Sequence, residues 1–305
     1  MHIKIGTRGS KLALWQAYYV ENALKAGGLS TEIVLIDTKG DQILDRSLSK
    51  IGSKGVFTQE LEDQLRDGRI DIAVHSAKDL QSALDADLQL IAFTERESVN
   101  DVLVSFQSGI SLQKENIVVG TSSTRRVALL KHFYPHIRTI DMRGNLQTRL
   151  RKLEEGQCDA ILLAYAGVHR MEYDSLIAQA LSLEEFTPAV GQGSVAIECS
   201  NTLSQEKKEQ IKTLLNHPET ETCLLAERAF LKQLEGGCSV PVFGLATLEN
   251  DVLNLTGGVV SLDGAQLLKH TITGPATQPH QIGQTLAQQL RHEGASEILA
   301  AIRNK

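Results

Sequence analysis

The chain has 305 residues, four cysteines and a formal net charge of -6 at pH 7. This length supports a large core divided into two or three domains. The acidic balance, with no helix-turn-helix, zinc-finger or RNA-binding signature, argues against a nucleic-acid partner.

The opening MHIKIGTRGS starts at once with strand-like alternation. It shows no basic leader followed by an apolar segment, and no run in the chain approaches the length of a membrane span. Cys158, Cys199, Cys223 and Cys238 form no C-x-x-C pair, so neither a dithiol redox motif nor a thiolate metal site is indicated. A cytoplasmic globular protein with reduced thiols is expected.

HIKIG predicts a strand and LALWQAYYVENALKA an amphipathic helix, joined by TRGS, a turn with capping hydroxyls. STEIVLIDT, residues 30–38, predicts the next strand. KIGSKG places Lys50 and Lys54 on a glycine segment, readable as a mobile cover over a cleft or as an exposed loop. FTQELEDQLRDG, residues 57–68, predicts a helix closed by Gly68; IDIAVHSAKD carries an apolar strand into a polar loop; LQLIAFT predicts another strand. Strands alternating with helices argue for a mostly parallel sheet with helices on both faces.

The scheme then returns. NIVVGTSSTRRVALLKHFY, residues 116–134, again reads as strand, Gly-Thr turn, helix, with VGT at 119–121 answering IGT at 5–7. Asp71 and Asp159 each enter a strand after a helix and a glycine. Two similarly built α/β domains are expected, without a strict repeat. TPAVGQGSVAIECS, residues 187–200, leads from a glycine-rich crossing into a strand; PETETCLLAERAFLKQLEGG predicts a helix begun by Pro218. From Pro241 the texture changes to antiparallel strands with tight turns and one or two final helices, a smaller domain beginning near residue 215.

Charge is not spread evenly. Residues 125–152 hold eight basic side chains, among them Arg125, Arg126, Arg143 and Arg149, against one acid, Asp141. A solvated surface is one reading. The other is an anion site: Arg125 and Arg126 follow the TSST turn at a helix start, where backbone N–H groups already favour an anion, and Arg8 occupies the equivalent turn beside Ser10. Loops after strands are where open α/β sheets bind ligands. In VHSAKD, residues 74–79, Asp79 is either a cap for the next segment or a carboxylate turned into a cleft beside Lys78. Cys238, in LEGGCSVPVFG, is either a small buried thiol in a turn or a reactive one.

GTRGSKLALWQA, GDQILD, KIGSKGVFTQELE, DIAVHSAKDL, GTSSTRR, RGNLQTRL, PAVGQG and LEGGCSVP, in this order from the N-terminus into the third domain, resemble porphobilinogen deaminase, also called hydroxymethylbilane synthase. The resemblance implies an α/β fold: two periplasmic-binding-protein-like α/β domains plus a small C-terminal α/β (α+β) domain. The corresponding boundaries are 1–94 with 195–214, then 95–194, then 215–305. It implies a transferase of porphyrin and haem biosynthesis that condenses four porphobilinogen molecules, releases ammonia at each step and yields hydroxymethylbilane. It implies a dipyrromethane cofactor held through a thioether to Cys238. Catalytic positions fall on Asp79, Lys78 and Arg8. Cofactor contacts fall on Lys78, Asp79, Thr121, Ser122, Ser123, Arg125, Arg126, Arg143 and Gly144, and substrate contacts on Arg8, Ser10, Arg143, Arg149 and Arg170. No metal, nucleic acid or membrane is implied. A monomer is expected, with hand-off of product to uroporphyrinogen-III synthase.

Each pyrrole of such a substrate carries carboxylates, which accounts for arginine forks in an acidic chain. The chain departs from the family pattern at Asn100 in ERESVND, at Gln81 after the KD pair and at His169 before Arg170. Two rivals remain: a non-catalytic small-anion binding protein of the same fold, and a cysteine hydrolase using Cys238 and His75.

Overall fold

The computed structural model describes residues 1–38, 58–236 and 240–303; GDQILD, Lys50 and Lys54 of KIGSKG, and Cys238 lie outside the described residues. In chain order the elements are β1 (His2–Thr7), α1 (Lys11–Ala26), β2 (Ser30–Leu35), α2 (Gln59–Arg66), β3 (Ile72–Ser76), a 3-10 turn (Ala77–Asp79), β4 (Leu88–Phe93) and β5 (Asp101–Val104). There follow β6 (Val118–Gly120), α3 (Thr124–Phe133), β7 (Arg138–Ile140), α4 (Leu146–Glu154), β8 (Ala160–Ala164), α5 (Tyr165–Arg170), β9 (Ile177–Ala180) and β10 (Val195–Ser200). The last are α6 (Gln205–Leu215), α7 (Pro218–Gln233), β11 (Val242–Glu249), β12 (Val252–Val260), β13 (Leu267–Pro275), α8 (Pro279–Leu290) and α9 (Ser296–Arg303). The chain divides into two compact units, Met1–Glu97 with Gly193–Glu221, and Ser98–Gln192 with Thr222–Lys305.

The first unit is built on a sheet of order β2-β1-β3-β10-β4, in which β1 runs parallel to β2 and β3 while β10 runs antiparallel to β3 and β4. One face is apolar. Ile3, Ile5, Ile72, Val74, Val195 and Ile197 pack against Ala17, Val20 and Leu24 of α1 and against Ile211 and Leu215 of α6. The three- and four-residue spacing on α1 is the stripe that lets a helix bury one side. The other face receives α2 through Leu61 and Leu65, together with Ile36, Ile70, Ala73 and Leu88. That same face also buries polar groups, Glu62, His75 and Glu198.

The second unit contains a sheet of order β7-β6-β8-β5-β9. The plan matches the first: parallel pairs join β6 to β7 and β8, and one antiparallel strand, β5, separates β8 from β9. The expected likeness of the IGT and VGT turns is therefore a likeness of position, at the carboxyl ends of β1 and β6, which hold the same place in the two strand orders. The same unit holds the antiparallel meander β11-β12-β13. Its tight turn, Asn250 and Asp251, has φ of 49° and 63° at the two residues, the left-handed pair that suits a short hairpin. Phe230 of α7, Leu234 just beyond its end, and Leu286 and Leu290 of α8 pack on Leu253, Leu255 and Val259. Phe243 and Val260 join the core of the neighbouring sheet beside Leu129 and Phe186. Cys158, Cys199 and Cys223 are buried thiols, as their apolar patterns suggested.

Candidate functional site

In the first unit the turn after β1 and the turn after β3 lie at the same carboxyl edge, because the two strands are parallel. Ser10 caps α1, its hydroxyl accepting from the Ala13 N–H at 3.3 Å. The Thr7 hydroxyl donates to the Ala13 carbonyl at 3.1 Å, which pins the turn against the helix. Gln16 Nε2 donates to Ser76 Oγ at 2.8 Å and ties α1 to the end of β3. The result is a cleft of about 70 Å³ whose lining includes Arg8, Ser10, Thr58, His75, Ser76 and Asp79. Asp79 is the exposed last residue of the 3-10 turn and caps no helix. Lys78 precedes it in that turn and does not line the cleft. Behind the cleft, His75 Nε2 meets Glu198 Oε2 at 3.0 Å, and both side chains are buried. Glu62 completes this group; burial raises the pKa of its carboxyl, and the Thr58 hydroxyl, donating at 2.5 Å, partly opposes that.

In the second unit the loops after β6, β7 and β8 share the corresponding edge. Thr121 Oγ1 accepts from the Ser123 N–H at 3.2 Å, and Ser123 caps α3 by accepting from the Arg126 N–H at 3.4 Å. This folds the TSST turn tightly and swings Arg125 and Arg126 inward. Both are buried, and both reach one carboxylate: Arg125 Nη2 donates to Asp101 Oδ2 and Arg126 Nη2 to Asp101 Oδ1, each at 2.7 Å. Their Nη1 atoms donate to the carbonyls of Thr187 and Leu162 at 2.9 Å, and Gln192 Nε2 donates to Asp101 Oδ1 at 2.9 Å. Burial opposes ionisation of Asp101, but the two guanidiniums outweigh it and hold its carboxyl well below the usual carboxylate range. Burial also pushes the Arg125 guanidinium below its ordinary value, against the pull of Asp101. Two cations on one carboxylate leave this buried group net positive.

Arg143 and Gly144 follow β7. Gly144 has φ of 113°, and a Cβ there would lie 2.6 Å from Thr148 Cγ2, so the turn demands glycine. Asn145 caps α4 by accepting from the Thr148 N–H at 2.9 Å, and Arg149 Nε donates to the Gly144 carbonyl at 2.8 Å. Arg170 ends α5, the helix that follows β8. The second unit thus brings Ser122, Arg143, Arg149 and Arg170 to one sheet edge with the Arg125–Arg126 pair, while Arg8, Ser10 and Asp79 gather in the first unit.

Ser122 Oγ, Arg125 Nε, Arg126 Nε, Arg143 Nη1 and Gln147 Nε2 are buried without a hydrogen-bond partner. A buried donor left unmatched costs about 1–3 kcal/mol, and more when it is charged. Five such atoms within residues 122–147, three of them on guanidiniums, form a set that fits a ligand carrying several carboxylates.

Residues 3–209 match the family profile described as porphobilinogen deaminase, dipyromethane cofactor binding domain, and residues 221–292 match the porphobilinogen deaminase C-terminal domain. The chain belongs to the porphobilinogen deaminase family. Curated porphobilinogen deaminases similar to it include those of Cytophaga hutchinsonii, 59% identical across 99% of this chain and 97% of that one, and of Desulfosudis oleivorans, 54% identical across 100% and 99%. That of Methylobacillus flagellatus is 44% identical across 98% and 96%. Among solved structures, the periplasmic VFT2 domain of Bordetella pertussis BvgS aligns at TM-score 0.44 and 17% identity, over 70% of this chain and 86% of that one. The substrate binding protein of an amino acid ABC transporter aligns at TM-score 0.41 and 14% identity, over 70% and 91%.

The family's dipyrromethane-binding domain includes every unmatched donor described above. Sequence reasoning missed Asp101, the partner of both arginines, and Glu198, the partner of His75. Each is a lone charge in an apolar run, Asp101 opening DVLV and Glu198 inside VAIECS, which marks the residue but not its partner.

Proposed function

We propose that this chain is an active hydroxymethylbilane synthase: it condenses four porphobilinogen molecules with release of ammonia, on a dipyrromethane primer attached through a thioether to Cys238. The observation that carries the reading is the set of buried, unmatched donors of Ser122, Arg125, Arg126 and Arg143 inside the segment matched as the cofactor-binding domain. When bound, the cofactor supplies a pyrrole carbon to which the first substrate unit is joined. The chain's own residues do the rest. Arg125 and Arg126, with Thr121, Ser122, Ser123, Arg143, Gly144 and Lys78, hold cofactor carboxylates. Arg8, Ser10, Arg143, Arg149 and Arg170 hold those of substrate and growing chain. Positive charge develops on the incoming pyrrole as ammonia leaves, and Asp79 stabilises that charge more than the neutral ring, so its benefit is concentrated at the transition state. Arg8 acts from the same cleft and Lys78 from the position next to Asp79 in the 3-10 turn.

The reading extends to a three-domain division at 1–94 with 195–214, 95–194 and 215–305. It also extends to a cytoplasmic monomer that passes its product to uroporphyrinogen-III synthase. A small-anion binding protein would use the same arginines, but it has no need of a carboxylate, Asp79, in the Arg8 cleft. Intact mass decides between them. The purified protein should exceed its sequence mass by two condensed pyrrole units and gain further units on incubation with porphobilinogen, and Cys238→Ser should abolish the excess. Fully active wild-type protein at its bare sequence mass would overturn the assignment.

A further inference from the structure

The first unit buries an acid–base group that the proposed function does not use. His75 lines the cleft with Asp79, and its Nε2 is bonded to Glu198 Oε2 at 3.0 Å. Glu198 is 0% exposed and its other oxygen, Oε1, has no partner. An unmatched carboxylate oxygen in a sheet interior is expensive to keep, and apolar residues would pack the same space at lower cost. The two residues face the same side of adjacent strands: His75 on β3 stands opposite Ala196, and Glu198 on β10 stands opposite Ala73. Among the described residues, Glu62 reaches in from α2 with Arg66 3.9 Å from it, Arg8 and Asp79 line the same cleft from the turns after β1 and β3, and Lys78 is the neighbour of Asp79 in its turn.

The chemistry gives this group a task. Joining one pyrrole to the next breaks a ring C–H bond and a C–N bond and forms one C–C bond. The ring carbon gives up one proton and the departing amine takes one to leave as ammonia, so no proton is gained or lost overall. The amine leaves before the ring proton does, so the proton released in one condensation must rest somewhere until the next amine departs. If it rested on Asp79, the carboxylate would lose the charge with which it stabilises the reacting pyrrole. We propose that His75, oriented by Glu198, is the proton store for the Asp79 cleft. This rests on the reading of Asp79 as the charge-stabilising residue of the reaction. Glu198 fixes the ring with Nε2–H directed at its carboxylate, which makes Nδ1 the basic nitrogen, and it balances the imidazolium formed when Nδ1 takes the proton. The cleft, at about 70 Å³, holds about two waters. The proton passes between Asp79 and Nδ1 through them and returns for the next departing amine. His75 is the proton-carrying residue and Glu198 a positioning residue that acts through it.

The test is single-turnover ammonia release from cofactor-loaded protein, followed as a pH profile from about pH 6 to pH 9. Rates are normalised to the cofactor-loaded fraction by intact mass. His75→Ala should lower the rate by about 100-fold, the scale of a lost general acid–base group, with substrate affinity nearly unchanged. Added imidazole should restore part of it, with a pH dependence that follows imidazole ionisation. Glu198→Gln, isosteric and uncharged, should lower the rate about tenfold and move the acid limb of the profile. Unchanged rates and profiles in both variants overturn the proposal, as does a His75→Ala loss that imidazole does not restore. If neither variant accumulates cofactor-loaded protein, the pair is structural and the proposal also falls. Asp79→Asn, run beside them, separates the two readings. A wild-type rate in Asp79→Asn overturns the site itself, whereas an impaired Asp79→Asn beside unimpaired His75 and Glu198 variants overturns only the proton store.

Discussion

The two α/β sheets share one strand order, yet their buried charges differ in kind. In the first unit the inserted antiparallel strand β10 carries Glu198, which meets a histidine. In the second, the inserted strand β5 begins with Asp101, which meets two arginines. Neither carboxylate is exposed. A carboxylate against a group that never loses its proton makes a fixed clamp. A carboxylate against an imidazole Nε2 instead orients a ring whose other nitrogen is left to exchange a proton. One architecture thus places a doubly paired carboxylate in one sheet and a carboxylate–imidazole contact in the other. Topology set where these groups sit, and composition set what they do.

The clamp is the place to break that comparison hardest. Asp101→Ala strands two buried guanidiniums and should cost about 3–5 kcal/mol in denaturant unfolding, with loss of cofactor from whatever folds. The pH dependence has a definite sign. The folded Asp101 carboxyl is held below its unfolded value, so its stabilising contribution is complete above about pH 3.9 and is lost only as pH falls through the lower folded value. Asp101→Asn should therefore be least stable relative to wild type at neutral pH and converge on it in strong acid.

Gly144→Ala sharpens the comparison by disturbing the anion wall without removing a charge. The positive φ and the contact with Thr148 should cost about 1–3 kcal/mol. Because Arg149 Nε is anchored on the Gly144 carbonyl, intermediates carrying one to four substrate units should change in their populations by mass spectrometry. Arg149→Lys, which cannot copy the fork, should alter the same ladder with little effect on folding. Wild-type ladders in both would remove this loop from chain handling. The smallest effect belongs to the other sheet. Burial raises the folded pKa of Glu62, so the stability it contributes is present below its unfolded value and lost as pH rises through the folded one. Glu62→Gln should raise Tm slightly at pH 8, by under about 2 °C, and leave it unchanged or lower in acid.

Much of this organisation was legible beforehand. Strand–turn–helix alternation with IGT and VGT gave two α/β sheets, and the paired hydroxyls of TSST gave the cap that turns Arg125 and Arg126 inward. What could not be read was which arginines face a ligand and which face the protein. Arg125 and Arg126 look equally available in TSSTRR, but their partner lies 24 and 25 residues upstream on an antiparallel strand. Strand insertion of this kind leaves no local periodic signal, since β5 and β10 read as ordinary apolar runs. The same holds for Glu198, which lies 123 residues from His75. Asp79 was ambiguous between a cap and a cleft carboxylate until the 3-10 turn ended at it with no helix to cap.

The central claim is that charge stabilisation sits at Asp79 while cofactor holding belongs to the arginine wall, and Asp79→Asn tests it most directly. Asparagine keeps the size and one acceptor but removes the negative charge. Intact mass and single-turnover ammonia release should be measured on the same sample. The account predicts a full complement of Cys238-linked cofactor together with a rate lowered by about 100-fold or more, on the order of 3 kcal/mol. A wild-type rate, or a slow rate explained wholly by missing cofactor, would contradict it.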